Sequence, residues 1–219
     1  MNALPHWPLL AGFALASLVL AATPGPGVLY IVTRTLAQGR RAGLASVAGV
    51  ALGNLGNALA ASLGLAALLA VSSLAFTVLK FAGAAYLIWL GVKALRDAGT
   101  AAAAGSVSDA AHDARQPGRL LRDGFVVALL NPKTALFFAA FLPQFLDPAG
   151  SAVGQSALFG AAFVAIAACT DTAYVLAAGA VAPALAAFGA ARTLGHRVSA
   201  AVYIGLGLFT AASGSRGAA

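Results

Sequence analysis

Lys133 and Asp171 are the charged residues whose surroundings give them chemistry to do. Each sits near the middle of a long apolar run. Asn131-Pro132-Lys133 reads as a helix start, with Asn as N-cap and Pro at the first helical position. The free amides of such a start, together with the helix dipole, attract an anion, and Lys133 adds a full positive charge there. At the centre of a bilayer a lysine costs at least roughly 2.5–3.5 kcal/mol, so it must pair or contact water unless it snorkels to an interface. Asp171 faces the same cost and reads either as counter-ion and proton-coupling candidate or as a structural, hydrogen-bonded carboxylate. Pro24-Gly25-Pro26-Gly27 is a second interruption. Proline removes a backbone donor and disrupts the turn before it, which leaves carbonyls around residues 20–22 in need of partners. Irregular backbone at membrane depth must face protein or a wet cavity; the alternative is a kink that only shapes packing. Asn54 and Asn57 lie about one turn apart, on a face that could line the same cavity or make interhelical bonds.

The elements that must position these residues are membrane helices. The chain has 219 residues, 61% apolar and 9% charged, with no glutamate. Soluble domains carry roughly 25% charged residues, so this chain cannot cover a water-facing surface. The net charge of +7 does not point to nucleic acid, because the basic residues fall between apolar stretches, as topology signals do. One cysteine, Cys169, excludes an intramolecular disulfide and a CxxC site, and reads as a small buried apolar residue. Met1 to Ala22 lacks the basic start of a signal peptide, and its apolar run continues to Thr33, so it reads as a retained first helix.

Crossing a core of roughly 30 Å takes about 20 helical residues. The charge-poor runs predict six helices, at about 8–33, 42–71, 74–95, 120–146, 152–182 and 196–214. Ser72-Ser73 turns the second into the third, and Asp97 to Gly118 reads as a flexible linker. Lys133 is read as the interior charge of the fourth helix; Asp147-Pro148-Ala149-Gly150 ends that helix, and Pro183 ends the fifth. Lys80, near the start of the third, reads as snorkelling. Arg34, Arg40 and Arg41, then Lys93, Arg96, Arg115, Arg119 and Arg122, then Arg192 and Arg197 all fall in odd-numbered connections. The positive-inside rule makes those connections cytoplasmic and places both termini outside.

Three helices followed by three more are two halves of opposite orientation: repeat one at about 8–95 and repeat two at about 120–214, in one transmembrane domain spanning 1–219. Ala85-Tyr-Leu-Ile-Trp-Leu-Gly91 echoes Ala201-Val-Tyr-Ile-Gly-Leu-Gly207, and the first helix of each half carries a proline break. Matching broken helices in inverted halves point to a transporter's binding site. Gly49, Gly53 and Gly56 form a strip for close packing, and glycine strips serve intramolecular contact or a homodimer equally well. The expected fold is all-α and polytopic, broken at mid-membrane in helices 1 and 4.

Ala22-Thr-Pro-Gly-Pro-Gly27, Gly39-Arg-Arg-Ala-Gly43 with Gly49 and Gly53, Gly83-Ala-Ala-Tyr-Leu-Ile-Trp-Leu-Gly91, Asn131-Pro-Lys-Thr-Ala-Leu-Phe-Phe138 and Leu142-Pro-Gln-Phe145 together resemble the LysE/RhtB family of amino-acid exporters. The resemblance covers essentially the whole chain. It implies a bacterial cytoplasmic-membrane protein that exports amino acids or related metabolites, driven by the proton gradient. The family's proline-glycine motif falls on Pro24, Gly25 and Pro26, and its Asn-Pro-Lys on Asn131, Pro132 and Lys133. Many members carry histidine about where Asn54 and Asn57 stand, and asparagine cannot titrate.

The expected mechanism is alternating access around a site between helices 1 and 4. The substrate carboxylate would meet Lys133 and the amides after Pro132; its ammonium would meet carbonyls near Pro24, and Asp171. The expected partners are a small-molecule substrate, protons and lipid, without cofactor, metal or nucleic acid. A non-transporting membrane scaffold is the competing class, though short loops offer it little binding surface. Metal efflux is disfavoured by one cysteine and by histidines only at positions 6, 112 and 196, outside the spans. No catalytic triad or metal motif suggests an enzyme.

Overall fold

The chain's prolines decide where its first helix stops. In the computed structural model, which describes residues 7–62, 73–103, 117–147, 150–187 and 191–212, α1 (Trp7–Ala22) ends before Thr23-Pro24-Gly25 and α2 (Pro26–Gln38) starts with Pro26 in its first turn. Gly25 stands in extended conformation as N-cap, and the two axes meet at 49°. The same device recurs later. α5 (Pro117–Leu129) and α6 (Pro132–Ala140) meet at 48°, a bend measured through the 3-10 turn Leu142–Phe145, with Asn131 as cap and Pro132 in the first turn. The spans expected at about 8–33 and 120–146, each interrupted by proline, are bent pairs broken at those prolines.

Four further helices complete the described residues: α3 (Arg40–Ser62), α4 (Ser73–Ala103), α7 (Ala152–Ala187) and α8 (Ala191–Ala212). α2 and α3 are joined at Gly39, whose φ of 86° is cheap only for glycine. Its amide bonds Thr35 O at 2.8 Å, which closes the end of α2. α3 and α7 are each long and apolar enough to cross a membrane, and each bent pair passes the same test, which gives two to four candidate spans by length and composition. The apolar part of α8, Ala200–Ala212, is shorter than a span.

Several expected boundaries move. α4 runs on to Ala103 rather than ending before Asp97, because Ala98 to Ala103 is rich in the best helix former. Residues 104–116 of the expected linker, and Ser72 of the expected turn, lie outside the described residues, while Ser73 already begins α4. Pro183 does not end its helix: α7 continues to Ala187. The φ of proline suits a helix, so the helix can continue past Pro183, although the ring crowds Gly179 O and leaves it without a helical donor.

Small residues set the helix spacing. A Cβ added at Gly49 or Gly53 would overlap the carbonyls of Leu121 or Phe125, and one at Gly56 would press on Leu129, so the glycine strip of α3 packs on α5, inside the chain. The residue numbers rise together along this seam, so α3 and α5 run parallel. α4 and α8 run antiparallel, and their contact is reciprocal. Gly91 faces Ala200 O and Ile204, while Gly207 faces Ala84 O and Ile88.

Two apolar clusters fill the interior. One gathers Tyr30, Val50, Leu87, Leu90, Val127 and Tyr203; the other gathers Phe13, Phe137, Phe138, Phe159 and Phe163. Large apolar side chains also point outward, among them Leu15, Val19, Leu59, Leu176 and Phe209. Water would oppose an exterior of that kind, and lipid does not. Cys169 belongs to it: the thiol is exposed on α7 and not buried as its residue type suggests. Lys80 moves the other way. It is 5% exposed, and its ammonium donates to Ala211 O of α8 at 3.3 Å, so it is held within the bundle and does not snorkel.

Candidate functional site

The two breaks meet. Lys133, second residue of α6, sends its ammonium across to α1 and donates to Leu20 O at 2.8 Å and Thr23 O at 2.5 Å. On the far side, Tyr174 of α7 donates its hydroxyl to Ala22 O at 2.8 Å. The carbonyls released by the proline break are therefore not left open, as the sequence suggested. They are held by a lysine and a tyrosine from two other elements. Bonds to a charged donor contribute about 1.5–3 kcal/mol each, enough to offset much of what the broken turn forfeits.

The local sequence explains how Lys133 gets there. Asn131 accepts the Lys133 amide on Oδ1 at 3.1 Å, as an N-cap does, and Pro132 has no donor to satisfy. The start of α6 is thereby fixed with Lys133 pointing at the opposite break. Gly25 leaves the passage: a Cβ there would stand 3.3 Å from Lys133 Cδ.

Beside this crossing lies a small open-sided cavity, walled by residues of α1, α2, α3, α5, α6 and α7. Its polar lining comes from Thr23, Asn54, Asn131, Lys133, Thr134 and Asp171, and its apolar lining includes Val28, Val50, Ala128 and Phe163. The cavity thus sits between the two apolar clusters. Asp171 is 5% exposed and lines the same cavity as Lys133, without an ion pair between them. The lining thus holds one group that attracts an anion and one that attracts a cation, the charges that a small zwitterion would match.

Of the residues singled out by sequence, Gly25, Asn54, Asn131, Lys133 and Asp171 line this cavity. Pro26 and Pro132 line a second, smaller one of about 220 Å³, which shares Asn131 as a wall. Pro24 is exposed at the bend and lines neither. Asn57 donates to Ala128 O at 2.9 Å, an interhelical bond between α3 and α5. Thr23, Thr134 and Tyr174 were not singled out. Tyr174 follows Asp171 by three residues, so helical spacing alone puts both on one face of α7.

A second polar cluster was missed entirely. Arg34, counted as a loop charge, lies within α2 and reaches Asp123 of α5 at 3.7 Å. The Asp123 side chain is 1% exposed, so Lys133 is not the only charge inside the fourth predicted helix. Tyr86 of α4 donates to Asp123 Oδ1 at 3.2 Å, and Arg122 approaches the same oxygen at 3.3 Å. The Arg34 guanidinium lies over the Tyr30 ring, 5.3 Å from its centroid, and Tyr30 itself donates to Leu120 O at 2.9 Å. Only the proximity of Arg34 and Asp123 to the basic connections hinted at this, and there it read as topology.

The sequence model of the LysE type translocators matches residues 18–214. The chain belongs to this family. It is a membrane translocator and not an enzyme. Among characterised sequences, it is similar to the homoserine/homoserine lactone efflux proteins of Salmonella typhimurium, 35% identical over 70% of this chain and 72% of that protein, and of Salmonella typhi, 34% identical over the same shares. It is also similar to an uncharacterized membrane protein of Vibrio cholerae serotype O1, at 35% identity over 62% of this chain, and the match spans 64% of that relative's length. No solved structure matches the chain.

Proposed function

We propose that this translocator exports an amino acid, or a close derivative that keeps the amino group, across the bacterial cytoplasmic membrane by proton-coupled alternating access. The observation that carries the reading is the Lys133 ammonium seated on the carbonyls of the opposite break, with Asp171 lining the same cavity. The substrate ammonium meets Asp171, since the carbonyls near Pro24 are already engaged. A carboxylate draws Lys133 away from Leu20 and Thr23, so binding loosens the joint between the two broken helices. Homoserine lactone has no free carboxylate, and a ligand of that kind would keep the Asp171 contact alone. Asp171 takes a proton when the substrate leaves.

Six spans in two inverted halves fit this reading. The equal bends of α1–α2 and α5–α6, and the reciprocal contacts of Gly91 and Gly207, are what a two-fold axis in the membrane plane would produce. The basic connections then face the cytoplasm and both termini lie outside. The decisive experiment is counterflow in proteoliposomes against an amino-acid panel that includes homoserine and its lactone, with and without a pH gradient. Gradient-dependent movement of one class supports export; no movement of any favours a scaffold.

A further inference from the structure

Along α2 and α5, the Asp123 cluster stands between the two breaks and the basic end of the bundle. Asn131 forms a wall of both cavities, and Tyr86 lines the second while donating to Asp123. Asp123 precedes Asn131 by eight residues and Arg34 follows Pro26 by eight, so each lies about 12 Å from its break at about 1.5 Å per residue. Arg40 and Arg41 at the start of α3 and Arg119 in the first turn of α5 lie further toward that end. The opposite end is closed differently. Phe13 of α1 packs against Phe159 of α7 with centroids 4.6 Å apart, and Phe137 of α6 joins them at 5.7 Å from Phe13. Each broken helix therefore contributes one half to each end: α2 and α5 to the charged closure, α1 and α6 to the aromatic one.

We infer that Asp123 and Arg34 are positioning residues of the translocation cycle, forming a charged closure that must part to admit substrate from the basic end, while the phenylalanine cluster closes the other. The pair suits that task. It joins α2 to α5 by an ion pair of 3.7 Å beside the bond from Tyr30 to Leu120 O, and Arg122, 64% exposed, already stands 3.3 Å from Asp123 and can keep it partnered once α2 withdraws. The inference rests on the translocator reading but does not need the substrate's identity.

The test is sided labelling of the cavity. In a Cys169→Ser background carrying Thr134→Cys, a membrane-impermeant maleimide is applied to sealed vesicles of both orientations, with Arg41→Cys in a parallel preparation reporting which side holds the basic end. Removing one partner of a buried charge pair strongly destabilises the closed contact, so Asp123→Asn should raise labelling about tenfold from the basic side alone. The exchange Arg34→Asp with Asp123→Arg should return it toward the parent rate. Phe159→Ala should open the opposite side instead. Should Asp123→Asn fail to reach the membrane, Tyr86→Phe removes one bond to Asp123 and should still raise basic-side labelling. Unchanged labelling, equal gains from both sides, or basic-side opening by Phe159→Ala overturns the inference. Labelling as expected in protein that moves no amino acid would overturn only the export reading.

Discussion

Lys133 holds the Leu20 carbonyl at 2.8 Å from a position 113 residues further along the chain. The two breaks are therefore one hydrogen-bonded joint, in which the lysine of α6 holds the end of α1. Lys133→Ala should abolish efflux. It should also lower the melting temperature of the purified protein, because acceptors left unsatisfied cost roughly 1–3 kcal/mol each. Efflux that survives in Lys133→Ala would remove the lysine from the mechanism.

Asp171→Asn keeps the shape of the cavity wall and removes its charge. Transport driven by a pH gradient should vanish, while the thermal midpoint stays close to the parent's. Gradient-driven uptake persisting in this variant would assign proton coupling elsewhere.

Tyr174→Phe and Asn57→Ala separate the site from its packing. Each loses one bond to a backbone carbonyl, worth about 1 kcal/mol. The tyrosine bond supports the break at Ala22, so its loss should slow turnover several-fold at little cost in stability. The asparagine bond joins α3 to α5, so its loss should appear in stability and leave the choice of substrate unchanged. Turnover kinetics and melting curves on both variants discriminate these outcomes.

Gly207 and Gly205 provide a matched pair on α8. A Cβ at Gly207 would press on Ile88 and on Ala84 O, whereas one at Gly205 meets nothing within 4 Å. Gly207→Ala should destabilise by roughly 1–3 kcal/mol through overpacking. Gly205→Ala should be neutral or stabilising by up to about 1 kcal/mol, since alanine is the better helix former. Equal effects in the two variants would contradict the close α4–α8 seam.

Both breaks, the Asn131 cap and the cavity position of Asp171 were legible because each depends on local rules. Proline and glycine interrupt helices wherever they stand, and a charge in a long apolar run needs a reason. Partnerships across the bundle were not legible. Nothing at Leu20 or Ala22 announces Lys133 or Tyr174 as its partner, since backbone carbonyls carry no residue signature. Arg34 and Asp123 lie near span ends, where charge is ordinary, and only packing shows that they are drawn inward. Lys80 misled for the same reason, because its partner is a carbonyl at the end of α8. Pro183 misled because the φ that proline fixes is itself helical, so a proline can bend a helix without ending it.

The reciprocal fit of Gly91 and Gly207 has a mechanical meaning. Ala200 O stands 3.0 Å from where a Gly91 Cβ would be, and Ala84 O stands 2.8 Å from the Gly207 equivalent. Sliding α4 past α8 by one turn would set bulkier residues against those carbonyls at both places at once. The seam can roll slightly, but it cannot ratchet. In the alternating access we propose, this seam would be the fixed bearing, and the four short rods of the two bent helices would move around it.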